Sequence, residues 1–136
     1  MQPERAPPVQ KKESSMKEYM FLFRGRRNEH QEVLNTPEKW QKHMGRWAAW
    51  MGELAKQGRL VSAQPFESES GRQVPPGGRP ATDGPFTEGK DMIVGGYLLC
   101  KAESYEEAVA LARGCPSLAD FPSALVEVRV VQELKP

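Results

Sequence analysis

An α+β fold of the ferredoxin-like split βαβ kind is predicted for this chain of 136 residues. Four segments are rich in strand-forming residues, two show the apolar spacing of helices, and a stretch rich in Gly and Pro separates the second and third strands. Their order is β-α-β-insert-β-α-β. We therefore expect one βαββαβ domain over residues 16–136, with an inserted loop or hairpin.

The segment before that domain, MQPERAPPVQKKESS at residues 1–15, combines Pro, Gln and charged residues. It has too few apolar residues to offset the entropy cost of ordering, so a disordered leader is predicted. It also lacks the apolar stretch of an export signal, and the chain has only two cysteines. These observations favour a cytoplasmic protein with reduced thiols.

Charge and hydropathy disfavour several kinds of partner. The chain has 19 basic and 18 acidic residues and a net charge of +1, so it offers no broad basic surface for nucleic acid. No apolar run reaches the length of about 18 residues that a membrane-spanning helix needs. No metal-binding spacing such as C-x-x-C or H-E-x-x-H occurs, and no cofactor is predicted.

The first strand, KEYMFLFR at Lys17–Arg24, carries apolar side chains on both faces, which is typical of a central strand. Tyr19, Phe21 and Phe23 share one of those faces. The next segment, RGRRNEHQE, is interpreted as a polar loop in which His30 is solvated.

The first helix is predicted from Pro37 to Gln57, with Thr36 as its N-cap and Gly58 as its C-terminal stop. His43 lies beside the apolar stripe of this helix. The stripe has helical spacing and consists of Trp40, Met44, Trp47, Met51 and Leu54.

The middle of the chain is predicted to hold a weak strand and an irregular insert. Leu60–Phe66 has strand character, and Pro65 favours a position at a sheet edge. Residues 67–91 contain few large apolar side chains, so they form either a loop or a small hairpin around Arg72–Val74.

The third strand is predicted over Met92–Lys101, where Gly95 and Gly96 indicate a bulge or a close approach by another group. Ser104 and Glu107 form a capping box that begins the second helix. Further on, Gly114 ends this helix and Pro116 prevents its continuation.

The last strand is predicted over Leu125–Val131, where valines alternate with Glu127 and Arg129. Both helices are expected on one face of the sheet, so the face with Glu127 and Arg129 lacks a cover. A second subunit is the simplest cover, and a homodimer is therefore predicted.

Residues 82–97, TDGPFTEGKDMIVGGY, resemble the signature of the YCII-related superfamily in its DGPF subgroup. The segments MKEYMFLFRG at 16–25, ARGCP at 112–116 and VEVRVV at 126–131 resemble other parts of the same family in the same order. The resemblance implies a dimeric α/β-barrel arrangement of ferredoxin-like domains, with a cleft beside the sheet. It also implies a link to sigma factors of the extracytoplasmic-function type, beside which DGPF proteins are often encoded.

Some members of that superfamily carry a His–Asp pair in the cleft, with the His on the first helix and the Asp before a Pro after the second helix. In this chain His43 is the only histidine of the first helix, and Trp47 fits the same slot when counted back from Gly58. The residue before Pro116 is Cys115 rather than Asp.

Six residues are the candidates for a site. The catalytic candidates are Asp83, as an acid, a base or a cation-binding group, and His43, as a general base. The candidate ligand-binding residues are Arg24, Trp47, Tyr97 and Arg129.

Each candidate also has a structural interpretation. Asp83 suits a Gly-Pro turn, and His43 and the tryptophans suit a packed helix face. Pairing of Arg24 and Arg129 with Glu127 is favoured over binding of an anion.

Two functions follow from these observations. The first is a small-molecule-binding domain, with an enzymatic cleft at the dimer as its catalytic form. The alternative is a non-catalytic regulatory or interaction module linked to sigma-factor-dependent transcription. A concave pocket that holds Asp83 and a second titratable group would favour the first function.

Overall fold

The computed structural model describes residues 15–84 and 92–134 of the chain. Residues 1–14 of the expected leader, and residues 85–91, which include the last six positions of the TDGPFTEGK motif, lie outside the described residues. The elements in chain order are β1 (Lys17–Arg26), α1 (Arg27–Leu34), α2 (Pro37–Lys56), β2 (Leu60–Pro65), β3 (Arg72–Gln73), β4 (Thr82–Asp83), β5 (Met92–Ala102), α3 (Tyr105–Ala112), α4 (Pro116–Asp120) and β6 (Leu125–Val130).

The main sheet confirms the α+β class. Its four strands lie in the order β2-β5-β1-β6, and every neighbouring pair is antiparallel. The two-faced apolar pattern of β1 correctly predicted a central strand, and Pro65 correctly placed β2 at an edge. The sheet is open between β2 and β6, so these described strands do not close into a barrel.

The core lies between one face of this sheet and the helices α2 and α3. Phe21 and Leu98 face inward from the two central strands, and they meet Leu54 of α2 and Ala108 of α3. Full burial of a Phe or Leu side chain contributes about 1.5–3 kcal/mol to the free energy of unfolding. The helices α2 and α3 therefore cover the same sheet face, as the sequence predicted.

Local signals set several boundaries. Ser104 accepts a hydrogen bond from the Glu107 backbone N–H at 3.1 Å, which confirms the predicted N-terminus of α3. Gly58 follows α2 with φ of +73°, a left-handed conformation that favours glycine. The predicted cap at Thr36 has a different role, because its hydroxyl donates to the Glu32 carbonyl oxygen of the preceding helix.

Two helices were not predicted. The segment that was interpreted as a polar loop forms most of α1. This helix has no apolar stripe that would have predicted it, and tertiary hydrogen bonds hold it in place. Glu29 of α1 accepts hydrogen bonds from the backbone N–H and hydroxyl of Ser123, at 3.1 and 2.7 Å. The second missed helix is α4, where Pro116 takes the first position of a new helix after ending the previous one.

The insert forms a small hairpin, which was one of the two predicted alternatives. Its strands β3 and β4 pair antiparallel, with Arg72 opposite Asp83 and Gln73 opposite Thr82. This two-stranded sheet is separate from the four-stranded one. The hairpin is therefore a peripheral unit relative to the core.

Candidate functional site

A cleft of about 270 Å³ lies where α2 crosses the sheet at its β2-β5-β1 side. Its walls are mostly apolar, with large contributions from Phe23, Trp40, Met44, Trp47, Met51 and Phe121. Phe23 packs edge to face on Trp47 with ring centroids 4.9 Å apart, so the wall is a set of mutually supported aromatic rings. Such a cavity favours an apolar body with a few placed polar groups.

Two adjacent glycines shape the floor of this cleft. The β1–β5 pairing passes from Phe23 opposite Gly96 to Arg24 opposite Val94, so Gly95 is the extra residue of a β-bulge. A Cβ on Gly96 would stand 2.7 Å from the Gln64 carbonyl oxygen, so β2 needs glycine there to approach. A Cβ on Gly95 would stand 3.8 Å from His30 Nε2. Both predicted meanings of the Gly-Gly pair, a bulge and a close approach, are confirmed.

His43 is held by hydrogen bonds at both ring nitrogens. Its Nδ1 lies 2.7 Å from Oδ2 of Asp120, and its Nε2 accepts from the indole N–H of Trp47 at 2.9 Å. An indole nitrogen can only donate, so Nε2 carries the lone pair and Nδ1 carries the proton that Asp120 accepts. The chain Asp120–His43–Trp47 therefore fixes one neutral tautomer of the imidazole.

The elements that bring these groups together are α2 and α4. His43 and Trp47 are four residues apart on α2 and so share one helix face. Asp120 is the last residue of α4, where it also accepts from Arg46 through its other oxygen. The exposed fractions of the His43 and Asp120 side chains are 6% and 17%, so little water competes with their bond.

His43 stands between two different environments. On its other side lies a second groove of about 410 Å³, bordered by Asp120 and by charged residues. These charged residues are Glu29, Glu32, Lys39, Lys42 and Arg46. The imidazole thus lines both the apolar cleft and the charged outer groove.

His30 is the second imidazole in the cleft. It stacks on Phe121 with ring centroids 5.2 Å apart, and the same Phe121 ring lies 5.0 Å from His43. Burial is the first cause that lowers the pKa of His30 below its ordinary value of 6.5, and repulsion from His43 when that ring is protonated is the second, so the His30 ring is neutral at pH 7. Both histidines of the chain therefore meet at one aromatic side chain.

Arg24 of β1 also borders the cleft. Its Nη2 donates to Glu127 at 2.8 Å, which confirms the favoured pairing across the sheet. Arg129 also pairs with Glu127, at 3.3 Å. Among the residues that the structure describes, only two buried side-chain nitrogens have no hydrogen-bond partner: Arg24 Nε and His30 Nδ1. Both belong to residues that line the cleft.

The structure brings four of the six candidates to one place. His43, Trp47, Arg24 and Tyr97 line the cleft. Asp83 lies on the hairpin, 89% exposed, where Arg72 is its ion-pair partner at 3.2 Å. Arg129 is also outside the cleft lining, on the exposed part of β6.

Two residues of the site were missed from the sequence. His30 was placed in a solvated loop, but it lines the cleft from α1. Asp120 was not predicted, because the family pattern was compared with Pro116, which follows a cysteine. A second proline, Pro122, has an Asp two positions before it. That second proline was the available signal.

The cysteines do not add chemistry to the site. Burial raises the pKa of the Cys100 thiol to about 11, and burial is also the first cause that raises the pKa of Cys115. Cys115 is the N-cap residue of α4, and its side chain makes no capping hydrogen bond there. Within residues 15–84 and 92–134, no His, Cys, Asp and Glu side chains cluster as a metal site would require.

Comparisons with known proteins give one positive finding. A family model described as the YCII-related domain matches residues 18–135, which is almost all of the part that the structure describes. No curated protein matches the chain. Among the described residues, no helix is long and apolar enough to cross a membrane.

Proposed function

We propose a small-molecule-binding and proton-transfer function for this chain, which belongs to the YCII-related family. The ligand would occupy the apolar cleft beneath α2, and His43 would exchange a proton with it. The observation that carries the proposal is the hydrogen-bonded chain Asp120–His43–Trp47 at the wall of that cleft.

The chain of bonds suits His43 to act as a general base. Asp120 holds the Nδ1 proton, so the lone pair of the neutral ring is on Nε2. A proton that arrives at Nε2 would create an imidazolium whose charge the Asp120 carboxylate stabilises. Trp47 occupies Nε2 in this structure, so its indole must turn away before His43 accepts the proton.

A screen that uses Trp47 as a reporter tests ligand binding. Single-ring and short-chain carbonyl compounds would be screened by thermal shift, and every hit examined by ¹H–¹⁵N spectra of the indole groups. We expect hits to move the Trp47 indole signal, because a ligand at Nε2 replaces its acceptor. If every hit leaves the Trp47 signal unchanged, the assignment of the cleft as the binding site is refuted.

Proton transfer is tested by deuterium exchange into the acidic C–H position of a hit in D2O. We expect the protein to accelerate exchange, and Asp120→Asn to reduce the acceleration by about 10²–10⁴-fold, the usual contribution of general acid–base catalysis. Asp83→Asn is the matched control, because it makes the same change at an exposed carboxylate outside the cleft lining.

The alternative, a regulatory module linked to sigma-factor-dependent transcription, makes the opposite prediction. The pocket criterion is met only in part: the residues that line the cleft include two histidines and two arginines, but not Asp83. The histidines favour the small-molecule function. If no screened compound binds in the cleft, and Asp120→Asn and Asp83→Asn give equal deuterium-exchange rates, the regulatory function would be favoured.

We further propose the ferredoxin-like, dimeric α/β-barrel arrangement for the domain. The strand order β2-β5-β1-β6 and the placement of α2 and α3 on one face support the fold. Leu125 and Val131 are 45% and 39% exposed at the other side, which supports a partner subunit there. A stable homodimer should bury about 2,000 Å² or more. Sedimentation that finds only monomer at micromolar concentration would contradict it.

A further inference from the structure

Among the described residues, three glycines line the cleft: Gly25 on β1, and Gly95 and Gly96 on β5. Glycine inside a strand weakens it, and it often marks a bulge or the close approach of a ligand or another backbone. None of these three has a positive φ, so their backbone conformation does not require glycine. The surroundings of each missing side chain therefore have to explain it.

Packing explains Gly96, and a side chain on Gly25 would leave the cleft. A Cβ on Gly96 would stand 2.7 Å from the Gln64 carbonyl oxygen, which is closer than atoms approach in folded proteins. A Cβ on Gly25 would meet Ser123 Oγ at 3.9 Å and Ala124 Cα at 4.0 Å. Neither Ser123 nor Ala124 lines the cleft, so a side chain at Gly25 would project away from it.

Gly95 has neither explanation. Among the described residues, its Cβ would meet only His30 Nε2 and the Phe23 carbonyl oxygen, both at 3.8 Å, an ordinary van der Waals distance. His30 and Phe23 both line the cleft, so this Cβ would stand between two residues of the lining. The type of bulge that needs glycine holds it in the left-handed region, which Gly95 does not occupy. The missing side chain thus leaves space within the cleft.

The walls determine what fills that space best. They are mostly apolar, and an apolar group packed against them gains dispersion contacts that add up over many atoms. An apolar cavity of about 150 Å³ is enough to bind benzene. The cleft, at about 270 Å³, therefore has room for one ring together with an aliphatic substituent.

We propose that Gly95 is a specificity-determining position for ligand size, and that the ligand is an aromatic ring with an alkyl substituent. Part of this ligand occupies the space between His30 and Phe23 that a side chain at position 95 would fill. The inference rests on the proposed function and adds the size and apolar character of its ligand. Each additional methylene that the cleft buries should raise the affinity about fourfold, until the cleft is full.

The test titrates the full chain with the series from benzene to hexylbenzene, followed by tryptophan fluorescence. In the wild type, affinity should rise with chain length and then level off where the cleft is full. In Gly95→Ala, which adds one carbon to the cleft, the rise should end one carbon earlier. The limiting affinity should then be about fourfold weaker, with benzene affinity within about twofold of the wild type. Gly95→Val should end the rise earlier still.

Gly52→Ala is the matched control. It adds the same methyl group on α2, where a Cβ would meet no atom of the described residues within 4 Å, and Gly52 does not line the cleft. Its affinities should level off at the same chain length as those of the wild type.

A second measurement needs no variant, so it decides the matter if Gly95→Ala fails to fold. In the wild type, the longest homologue before the affinity levels off should show a nuclear Overhauser effect between its alkyl chain and the Hα protons of Gly95. Absence of this contact overturns the inference, and so does a levelling point that is equal in Gly95→Ala and the wild type.

The outcomes separate this inference from the proposed function. An unchanged levelling point overturns the role of Gly95 but leaves the cleft as a binding site. Failure of the wild type to bind any alkylbenzene also overturns the inference, and the carbonyl screen then decides the fate of the cleft. A shifted levelling point, combined with equal deuterium-exchange rates in Asp120→Asn and Asp83→Asn, supports the role of Gly95 and overturns proton transfer.

Discussion

His43 and Asp83 were both singled out from the sequence, and the structure places them in opposite surroundings. His43 is 6% exposed and bonded at both ring nitrogens, in a wall shared by two cavities. Asp83 is 89% exposed on a two-residue strand, with one ion pair to its cross-strand neighbour. An exposed pair of this kind contributes about 0–1 kcal/mol to stability.

The contrast shows that local sequence does not decide which titratable group belongs to a site. Asp83 lies within a conspicuous motif, but its strand pairs with β3 in a two-stranded sheet separate from the main one. His43 lies in a plain helix, and a carboxylate 77 residues away meets it. Convergence of distant elements, rather than the prominence of a motif, makes the site.

Alanine substitutions of Asp120 and Asp83 are expected to give the largest difference in the free energy of unfolding between the two regions. Asp120→Ala leaves the Nδ1–H of His43 without its acceptor, so the free energy of unfolding should fall by about 1–3 kcal/mol. Asp83→Ala should change it by less than about 0.5 kcal/mol, as is usual for exposed positions. Urea denaturation of both variants measures this. Equal losses of unfolding free energy in the two variants would contradict the distinction between the buried and the exposed carboxylate.

A smaller effect is expected from Trp47→Phe, which keeps an aromatic ring and removes the indole N–H. His43 Nε2 then loses its donor, and the free energy of unfolding should fall by about 0.5–1.5 kcal/mol, the net contribution of one hydrogen bond. ¹⁵N spectra of the imidazole should show the Nδ1–H tautomer in the wild type and an altered Nε2 shift in the variant. An Nε2–H tautomer in the wild type would contradict the assigned bonds.

The smallest effect concerns pH and His30. Its pKa is lowered in the folded chain, first by burial, so the unfolded chain takes up this proton earlier as the pH falls below the ordinary value of 6.5. Stability from this group is thus complete above about pH 6.5 and declines below it until the folded pKa is passed. His30→Leu should flatten that decline in denaturation curves collected between pH 7 and 5. An unchanged slope would mean that the ring is not buried as described.

Sequence patterns predicted most of the fold because they act over short distances. The alternation in β1, the helical stripe of α2 and the Ser104 capping box each lie within one element. The bulge at Gly95 was likewise visible as two glycines in a strand. These features depend on neighbours along the chain, and a single sequence displays them.

The site was predicted only in part, for the opposite reason. His30 has no apolar stripe around it to indicate burial, and its neighbour Phe121 comes from the far end of the domain. Asp120 meets His43 only after α4 forms, and α4 carries no stripe that would identify a helix. Such pairings depend on the tertiary arrangement, which local patterns do not encode.

The bond between His43 and Asp120 joins residues 77 positions apart. Contacts across such long separations require closure of a large loop, and high contact order slows folding. The pairing of the core strands has equal or longer separations, since Phe21 lies opposite both Leu98 and Val128. We therefore expect the bond and the sheet to depend on the same long-range closure, and a refolding experiment that follows the imidazole signal would report completion of the site together with that of the sheet.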